Sequence, residues 1–155
     1  MNPIGAIFSP FEKLENMPIQ PKGALNTFGK VIINMEYVDG LQDLGGFSHV
    51  YLIYNFHRSD RTELNVTPFM DNQERGVFST RSPLRPTKIG ISITEIVSID
   101  KNIITVKGID ILNATPLLDI KPYIPQFDYF KNVKTGWMQK SKEDVEETVS
   151  DGRFI

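Results

Sequence analysis

Prolines and glycines interrupt this chain so often that a long helix has almost nowhere to form. The 155 residues include 11 glycines and 10 prolines, and both residue types weaken or end helices and strands. The segments between them are rich in Ile, Val, Phe and Tyr, which fit the pleated, half-buried surface of a sheet. Before residue 138 no segment keeps an apolar period of 3.6 residues. The sequence therefore predicts an all-β fold with few short helices.

Four segments predict individual strands. They are residues 28–37, 48–57, 89–99 and 103–109. The second is apolar on both faces, which is typical of a central strand, and the third alternates between apolar and hydroxyl-bearing side chains. Turn-forming residues at 100–102 join the last two segments into a predicted hairpin. Residues 39–44 predict one short helical turn.

Composition places the chain among soluble globular proteins with one compact core. It is 40% hydrophobic and 23% charged, and no apolar run approaches the eighteen residues of a membrane span, so no membrane partner is expected. The start of the chain lacks the basic and apolar pattern of a secretory signal. Since cysteine is absent, disulfides are excluded and a cytoplasmic location is favoured. Two histidines without cysteine argue against a metal site.

The chain divides into a predicted domain at 1–130 and a C-terminal tail at 131–155. In the tail, Ser141 is placed to cap a short helix over 142–149, with acidic residues in its first turn. A frayed, charged terminus is the alternative for this tail.

The overall charge argues against a general nucleic-acid-binding protein. The formal net charge is −2, whereas such proteins rely on many lysines and arginines that face phosphates. Locally the balance reverses, because Arg75, Arg81, Arg85 and Lys88 fall within fourteen residues. This indicates one positive patch, and a solvated loop is the alternative interpretation.

Two segments, 81–92 and 108–125, set charged side chains beside prolines, which fix φ and remove a backbone donor. Their charges are therefore predicted to extend from stiff turns, an arrangement suited to ligand binding. Common enzyme motifs are missing from the sequence: it contains no dinucleotide-binding glycine pattern, no phosphate-binding loop and no nucleophile elbow.

Both segments resemble the signature of the TsaA-like (TrmO) family. The positions in register are Pro83, Arg85, Pro86, Ile89, Gly90, Ser92, Asp110, Thr115, Pro116, Asp119, Lys121, Pro122 and Tyr123. Shorter similar stretches occur at 4–10, 18–21 and 40–57, so the resemblance covers about residues 2–128.

This resemblance implies a small closed or nearly closed β-barrel that works as a homodimer. It also implies an S-adenosylmethionine-dependent methyltransferase that acts on tRNA. The implied target is the exocyclic nitrogen of a threonylcarbamoyl-modified adenosine next to the anticodon. For the dimer, the residues themselves offer one hint, a surplus of aromatic surface at Phe127, Tyr129, Phe130 and Trp137.

The resemblance also implies which residues contact the cofactor. They are Pro21, Lys22, Gly23, His57, Arg58, Arg81, Ile91, Asn113, Ala114, Thr115 and Pro116. Arg81 suits the carboxylate of S-adenosylmethionine, since a guanidinium can hold a carboxylate with two charge-assisted bonds. Arg85 and Lys88 are the candidates for RNA phosphates. No catalytic residue is assigned. Asp110 and Asp119 are the acidic residues nearest the signature, and Asp119 is expected to pair with Lys121 or Arg85 and so hold its turn. His57 is expected to bond to the backbone at a strand end rather than to act as a base.

Two departures from the family pattern lie inside this predicted site. Thr87 and Lys88 stand where the family usually has Asn-Pro, and Asn113 and Ala114 where it has Asp-Gly. Alanine would be strained there if the backbone needs a positive φ. Two alternatives to tRNA methylation therefore stay open: a barrel that binds S-adenosylmethionine or RNA without catalysis, and a methyltransferase for another small substrate.

Overall fold

The chain folds into a closed six-stranded antiparallel barrel. The structure, a computed structural model, describes residues 2–154, so Met1 and Ile155, the outer ends of the two predicted segments, lie outside it. The strands are β1 (Gly5–Phe8), β2 (Phe28–Ile33), β3 (His49–Asn55), β4 (Asn65–Val66), β5 (Arg75–Gly76), β6 (Ile89–Asp100), β7 (Ile103–Lys107) and β8 (Thr115–Pro122). Around the barrel the order is β1-β2-β7-β6-β3-β8, while β4 and β5 pair separately. This confirms the predicted all-β barrel.

Helices are few and short, as the sequence predicts. The α-helices are α1 (Pro125–Asp128) and α2 (Lys142–Glu147). Short 3-10 helices occupy Pro21–Ala24, Met35–Leu41, Leu44–Gly46, Val77–Ser79 and Gly152–Phe154. Within residues 2–154, no helix has the length and apolar character needed to cross a membrane.

The predicted strand over 28–37 is too long at its C-terminal end. β2 stops at Ile33, and a 3-10 helix begins at Met35. Asn34 donates its backbone N–H to the carbonyl of Ile4, and its own carbonyl accepts from Tyr37, which starts the turn. The apolar composition continues past Ile33, but the ladder does not, since β1 and β7 provide pairing partners only up to that point.

A larger correction concerns β8, because the sequence interpretation placed stiff turns here. Thr115–Pro122 is instead a barrel strand that pairs with both β1 and β3. Its prolines are the second and the last residues of the strand, near the ends, where a missing N–H is best tolerated. Leu117 and Leu118 between them are buried in the barrel.

The alternation predicted for β6 is present, but its polar face is the one turned inward. Ser92 and Thr94 are 3% and 1% exposed, whereas Ile91 and Ile93 are 45% and 38% exposed. Gly90 is required at this inner face, since a Cβ there would lie 2.3 Å from the ring of Tyr54. Further along, a register shift between Ile96 and Ser98 ends the alternation. At the start of β6, the barrel therefore keeps Ser92 and Thr94 inside and Ile91 and Ile93 outside.

Inward-facing aliphatic side chains from all parts of the barrel form the core. The members that are fully buried are Ile7, Val31, Val50, Leu52, Ile104, Val106, Ile109 and Leu117. They fill the interior along most of its length, so a polar group inside it is costly unless it forms a hydrogen bond. The buried Thr94 hydroxyl has no such partner among the described residues.

Three long loops leave the same end of the barrel, and we call this end the loop rim. They are residues 9–27 between β1 and β2, 56–88 between β3 and β6, and 108–114 between β7 and β8. Antiparallel pairing brings them together, since the ends of β1, β3 and β7 and the starts of β2, β6 and β8 lie at the same end of the barrel. The opposite end carries the 34–48 connection and the 101–102 hairpin.

The C-terminal tail packs against the loop rim. Ser141 caps α2 and Asp144 returns the bond, which forms the predicted capping box. The helix covers 142–147 of the predicted 142–149 and contacts the Pro21–Ala24 turn. Val149 then bridges to Pro18, and Ser150 accepts from and donates to the 14–17 segment.

Candidate active site

All eleven predicted cofactor contacts lie at the loop rim. Eight are on the three loops, and the other three are within the first three residues of β6 and β8, which start at this rim. The sequence separates these positions by up to 95 residues, counted from 21 to 116. The barrel topology therefore gathers residues that no local pattern connects.

A cavity of about 90 Å³ lies within this rim. His57, Arg58 and Thr115 are the predicted residues that line it, together with Tyr54 and Asp110. Phe154 of the tail forms part of its wall. Because ligand pockets usually measure roughly 300–1,000 Å³, a ligand as large as S-adenosylmethionine would extend from this cavity over the rim.

A larger and more open groove of about 500 Å³ lies elsewhere, between α2 and residues 69–72. Asp71, Asp144 and Glu147 line it, and none of the predicted site residues does. Among residues 2–154, no cluster of three or more His, Asp or Glu side chains is arranged to hold a metal ion. The groove therefore does not compete with the rim cavity as the site.

His57 and Thr115 meet at the cavity. Thr115 is buried and donates its hydroxyl proton to the Leu112 carbonyl at 2.7 Å. Its oxygen lies 3.3 Å from His57 Nδ1, so Nδ1–H is the donor in this contact and Nε2 keeps its lone pair. Partial burial, followed by the charge of Arg58, lowers the pKa of His57. The imidazole is therefore neutral near pH 7.

A buried polar chain, Tyr54–Ser92–Asp110, forms the inner wall. The Ser92 hydroxyl donates to Asp110 Oδ1 at 2.7 Å, and the Tyr54 hydroxyl lies 3.1 Å from the same serine oxygen. Burial raises the pKa of Asp110 to about 6, although the Ser92 bond and the charge of Arg81 oppose the rise. Sequence reasoning named Asp110 only as an acid near the signature.

Arg81 stands at the outer edge of the rim. Its side chain is exposed and donates to Gln20 Oε1 at 2.9 Å, which places it beside the Pro21–Ala24 turn. Its charge is also close enough to lower the pKa of Asp110. A guanidinium held by one neutral amide keeps further N–H donors for an anionic ligand. Arg81, Pro21 and the cavity thus belong to one continuous region.

Asn113 joins two of the rim loops. Its side-chain oxygen accepts from the Ser9 N–H at 3.1 Å, and its amide nitrogen donates to Glu12 Oε1 at 2.8 Å. An aspartate here would lose that donor and place a second negative charge beside Glu12. The presence of Glu12 gives a physical reason for the departure from Asp-Gly at this position.

Ala114 adopts the left-handed backbone conformation, in which an alanine is strained. Its φ is +58°, which costs an L-residue roughly 1–2 kcal/mol. We expect Ala114→Gly to raise the free energy of unfolding by about 1 kcal/mol and the melting temperature by roughly 2–4 °C. Thermal and urea unfolding measure both quantities.

The matched control is Ala6→Gly in β1, where the residue pairs with Ile32 and Pro116. Glycine inside a strand is expected to lower stability by roughly 0.5–1 kcal/mol. If both replacements shifted stability in the same direction, backbone strain at Ala114 would be the wrong explanation.

The two candidates for RNA contacts are engaged within their own loop. Arg85 donates to the carbonyls of Ser82, Val77 and Thr80, and Lys88 Nζ donates to the Ser59 carbonyl. Lys88 has φ +52°, a conformation closed to proline, so the backbone differs here from that of a chain with Asn-Pro. Both residues hold the loop 56–88 in shape, and their contact with RNA stays a prediction.

Ile91 is separated from the cavity. It is on the outer face of β6, opposite Ile53 of β3, and 45% of it is exposed. Its predicted cofactor contact therefore requires a ligand that reaches the outside of the barrel wall. Asp119, the other acid considered above, forms an exposed ion pair with Lys121 at 2.9 Å, which is the structural role anticipated for it.

Comparison with known proteins decides the family. A model described as the tRNA-methyltransferase O N-terminal domain matches residues 6–129. The chain belongs to this family. The predicted TrmO resemblance is thereby confirmed, over nearly the same residues as those that carried it.

Relatives of the tRNA-methyltransferase O family extend the match. A probable S-adenosyl-L-methionine-binding protein of Pyrococcus abyssi is 46% identical over 153 residues, which cover 99% of this chain and 83% of that protein. The human tRNA (adenine(37)-N6)-methyltransferase is 34% identical over 84% of this chain and 31% of its own length. The crystal structure of TrmO from Pseudomonas aeruginosa superposes with a TM-score of 0.73 at 33% identity. The match covers 88% of this chain but only 60% of that structure.

Proposed function

We propose that this protein is an S-adenosylmethionine-dependent tRNA methyltransferase. The observation that carries the proposal is that all eleven predicted cofactor positions lie at one rim of the barrel and that three of them, His57, Arg58 and Thr115, line a cavity with titratable groups. Family membership and the names of the archaeal and human relatives support it. A tRNA substrate would place the protein in the cytoplasm, and the absence of cysteine also favours that location.

The residues at the rim suit the chemical groups of this cofactor. S-adenosylmethionine supplies an electrophilic methyl group when bound. Arg81 would hold its carboxylate, and the main chain of Pro21–Gly23 and Asn113–Pro116 offers polar groups for a nucleoside. Asn113 joins two of these loops and Arg85 holds the third in shape, which keeps the donors in place. Most of the rate enhancement would come from such positioning, which is worth roughly 7–11 kcal/mol in well-oriented reactions.

The substrate we propose is the exocyclic nitrogen of a threonylcarbamoyl-modified adenosine beside the anticodon. This nitrogen must lose a proton during or after methylation. Asp110 would accept that proton, because its carboxylate lines the cavity and Ser92 fixes its orientation. His57 would bind the substrate or the cofactor through Nε2, since Nδ1 faces Thr115.

The test of this function is methyl transfer from labelled S-adenosylmethionine to tRNA with and without the threonylcarbamoyl group. Label in the modified tRNA alone is the expected result. Equal labelling of both tRNAs would mean that the protein methylates tRNA at a position other than the threonylcarbamoyl-modified adenosine. Cofactor binding without any transfer would instead favour the non-catalytic barrel.

We also propose that the protein forms a homodimer through the outer face of β3 and β6. Ile91, Ile93 and Val97 expose 38–48% of their surface there, and exposed apolar clusters usually mark contact sites. Ile93→Asp is expected to convert a dimer into a monomer in sedimentation velocity runs. Leu64→Asp, at a residue 64% exposed in the loop 56–88, is the matched control and should stay dimeric. A wild-type monomer at micromolar concentration would reject the dimer.

A further inference from the structure

The segment that follows β8 exposes three aromatic side chains within four residues. Phe127, Tyr129 and Phe130 keep 73%, 66% and 71% of their surface exposed, and Val133 keeps 65%. Aromatic side chains usually bury most of their area, so exposure on this scale marks a surface that binds something. We call residues 127–137 the aromatic strip.

Positive charge is interleaved with these rings. Lys131 and Lys134 are both exposed, and the strip contains these two lysines and one acid, Asp128, in a chain of net charge −2. In the part of the chain that the structure describes, neither Lys131 nor Lys134 has a carboxylate within ion-pair distance. The strip is therefore a local cationic surface whose charge is not neutralised by the protein.

Both ends of the strip are held by hydrogen bonds. At one end, Trp137 donates its indole N–H to the Ser79 carbonyl at 2.8 Å, and the Arg75 guanidinium lies 5.9 Å from the centre of its ring. At the other end, Asp128 accepts from the Ile124 N–H at 2.8 Å. Through Trp137 the strip meets the loop 56–88, which carries Arg81, the proposed cofactor contact.

We propose that the aromatic strip binds unpaired bases of the RNA substrate, a step that rests on the function proposed above. Exposed rings offer stacking faces for any base, and lysines between them meet the phosphates of a single strand. A paired helix keeps its bases stacked inside, so it would gain only the lysine contacts. The surface fits an unpaired loop of RNA better than a duplex.

Charge also decides against a second copy of this chain as the occupant. A twofold contact between two strips would bring Lys131 and Lys134 close to the same lysines of the second copy, and Asp128, the one acid in the strip, already accepts from the Ile124 N–H. The aromatic surplus that the sequence offers as a hint of dimerisation is therefore assigned to RNA.

The test uses the full-length protein and two fluorescent RNAs, a 17-nucleotide anticodon stem-loop and a duplex of equal length, in anisotropy titrations at several salt concentrations. Lys131→Ala with Lys134→Ala is expected to weaken stem-loop binding at least tenfold and to reduce the slope of log Kd against log salt by about 1.4, since each single-strand phosphate contributes about 0.7. Tyr129→Ala with Phe130→Ala is expected to weaken stem-loop binding tenfold, with the salt slope and the duplex affinity unchanged. Lys101→Ala, in the hairpin at the opposite rim, should match wild type.

Calorimetric titration with S-adenosylmethionine separates this proposal from the function beneath it. All strip variants should bind the cofactor as wild type does. Stem-loop affinities equal to wild type in both double variants, with cofactor binding and tRNA methylation intact, would overturn the strip and leave the function standing. Loss of self-association in place of RNA affinity would also overturn it, because the strip would then be a protein interface. If the wild type neither bound RNA nor methylated tRNA, both proposals would fall.

Discussion

Asp110→Asn is expected to stabilise the protein at pH 7.5 and to abolish most of its methyl transfer. Burial raises the pKa of Asp110 from 3.8 to about 6, so the folded state holds this proton more tightly than the unfolded chain. Stability from this group is fully present below pH 3.8 and is lost as the pH rises to about 6. Asparagine has no charge to bury, and its oxygen can still accept from Ser92.

The size of the effect follows from the shift. Since one pKa unit corresponds to about 1.4 kcal/mol, we expect a gain of about 2–3 kcal/mol in the free energy of unfolding above pH 6.5. The gain should shrink steadily towards pH 4. Urea unfolding at four pH values between 4.5 and 7.5 measures it. A gain that does not change with pH, or a loss at pH 7.5, would contradict the buried carboxylate.

The same variant tests the proposed proton acceptor. General-base catalysis contributes roughly 10²–10⁴-fold to a rate, so kcat should fall at least a hundredfold while the affinity for S-adenosylmethionine changes less than twofold. The pH profile of kcat should also lose its limb near pH 6. An active Asp110→Asn enzyme would assign Asp110 a structural role only.

Asp119→Asn is the matched control for both measurements. Its ion pair with Lys121 is exposed, with 45% and 62% of the two side chains accessible. Such pairs are worth about 0–1 kcal/mol. Stability should therefore move by less than 1 kcal/mol at every pH, and methyl transfer should persist.

Arg81→Ala is expected to weaken S-adenosylmethionine binding by about 10- to 150-fold. A hydrogen bond to a charged group contributes roughly 1.5–3 kcal/mol, and the variant removes both the charge and the fork of donors. Isothermal titration calorimetry measures the change directly. Arg81→Lys should recover only part of the affinity, because an ammonium group cannot make the paired contact.

The control for this experiment is Arg61→Ala in the same loop. Arg61 is exposed, pairs with Glu63 at 3.4 Å and donates to the Arg153 carbonyl. Its loss should leave the cofactor affinity within twofold of wild type. Equal affinities for Arg81→Ala and wild type would remove Arg81 from the site and leave the carboxylate without its proposed partner.

The sequence predicted the fold class and four of the six barrel strands, because strand composition and turn residues are local signals. It located β3, β6 and β7 to within two residues at every end. β1 was not predicted, and β8 was missed because two prolines made its segment look like a turn. A proline is tolerated near a strand end, and only pairing partners on both sides show that such a segment is a strand.

The candidate site could be predicted only in part. The family signature supplied the cofactor positions, and the structure places them at one rim. The Tyr54–Ser92–Asp110 network could not be read from the sequence, because it joins residues up to 56 positions apart whose hydroxyl and carboxyl groups face inward. The hydrogen bonds that Arg85 and Lys88 donate to backbone carbonyls could not be predicted from the sequence either.

The sequence by itself determined that this chain is all-β, since short β-branched and aromatic runs between prolines and glycines favour strands over helices. The closed barrel was expected only from the family resemblance. It also shows that Ala114 occupies the position where the family signature has glycine. Only the tertiary structure decided which face of β6 is inside, because a two-residue alternation is the same from either side and burial depends on what the opposite wall offers. Tyr54 and Asp110 offer hydrogen bonds there, so Ser92 points inward and the isoleucines point out.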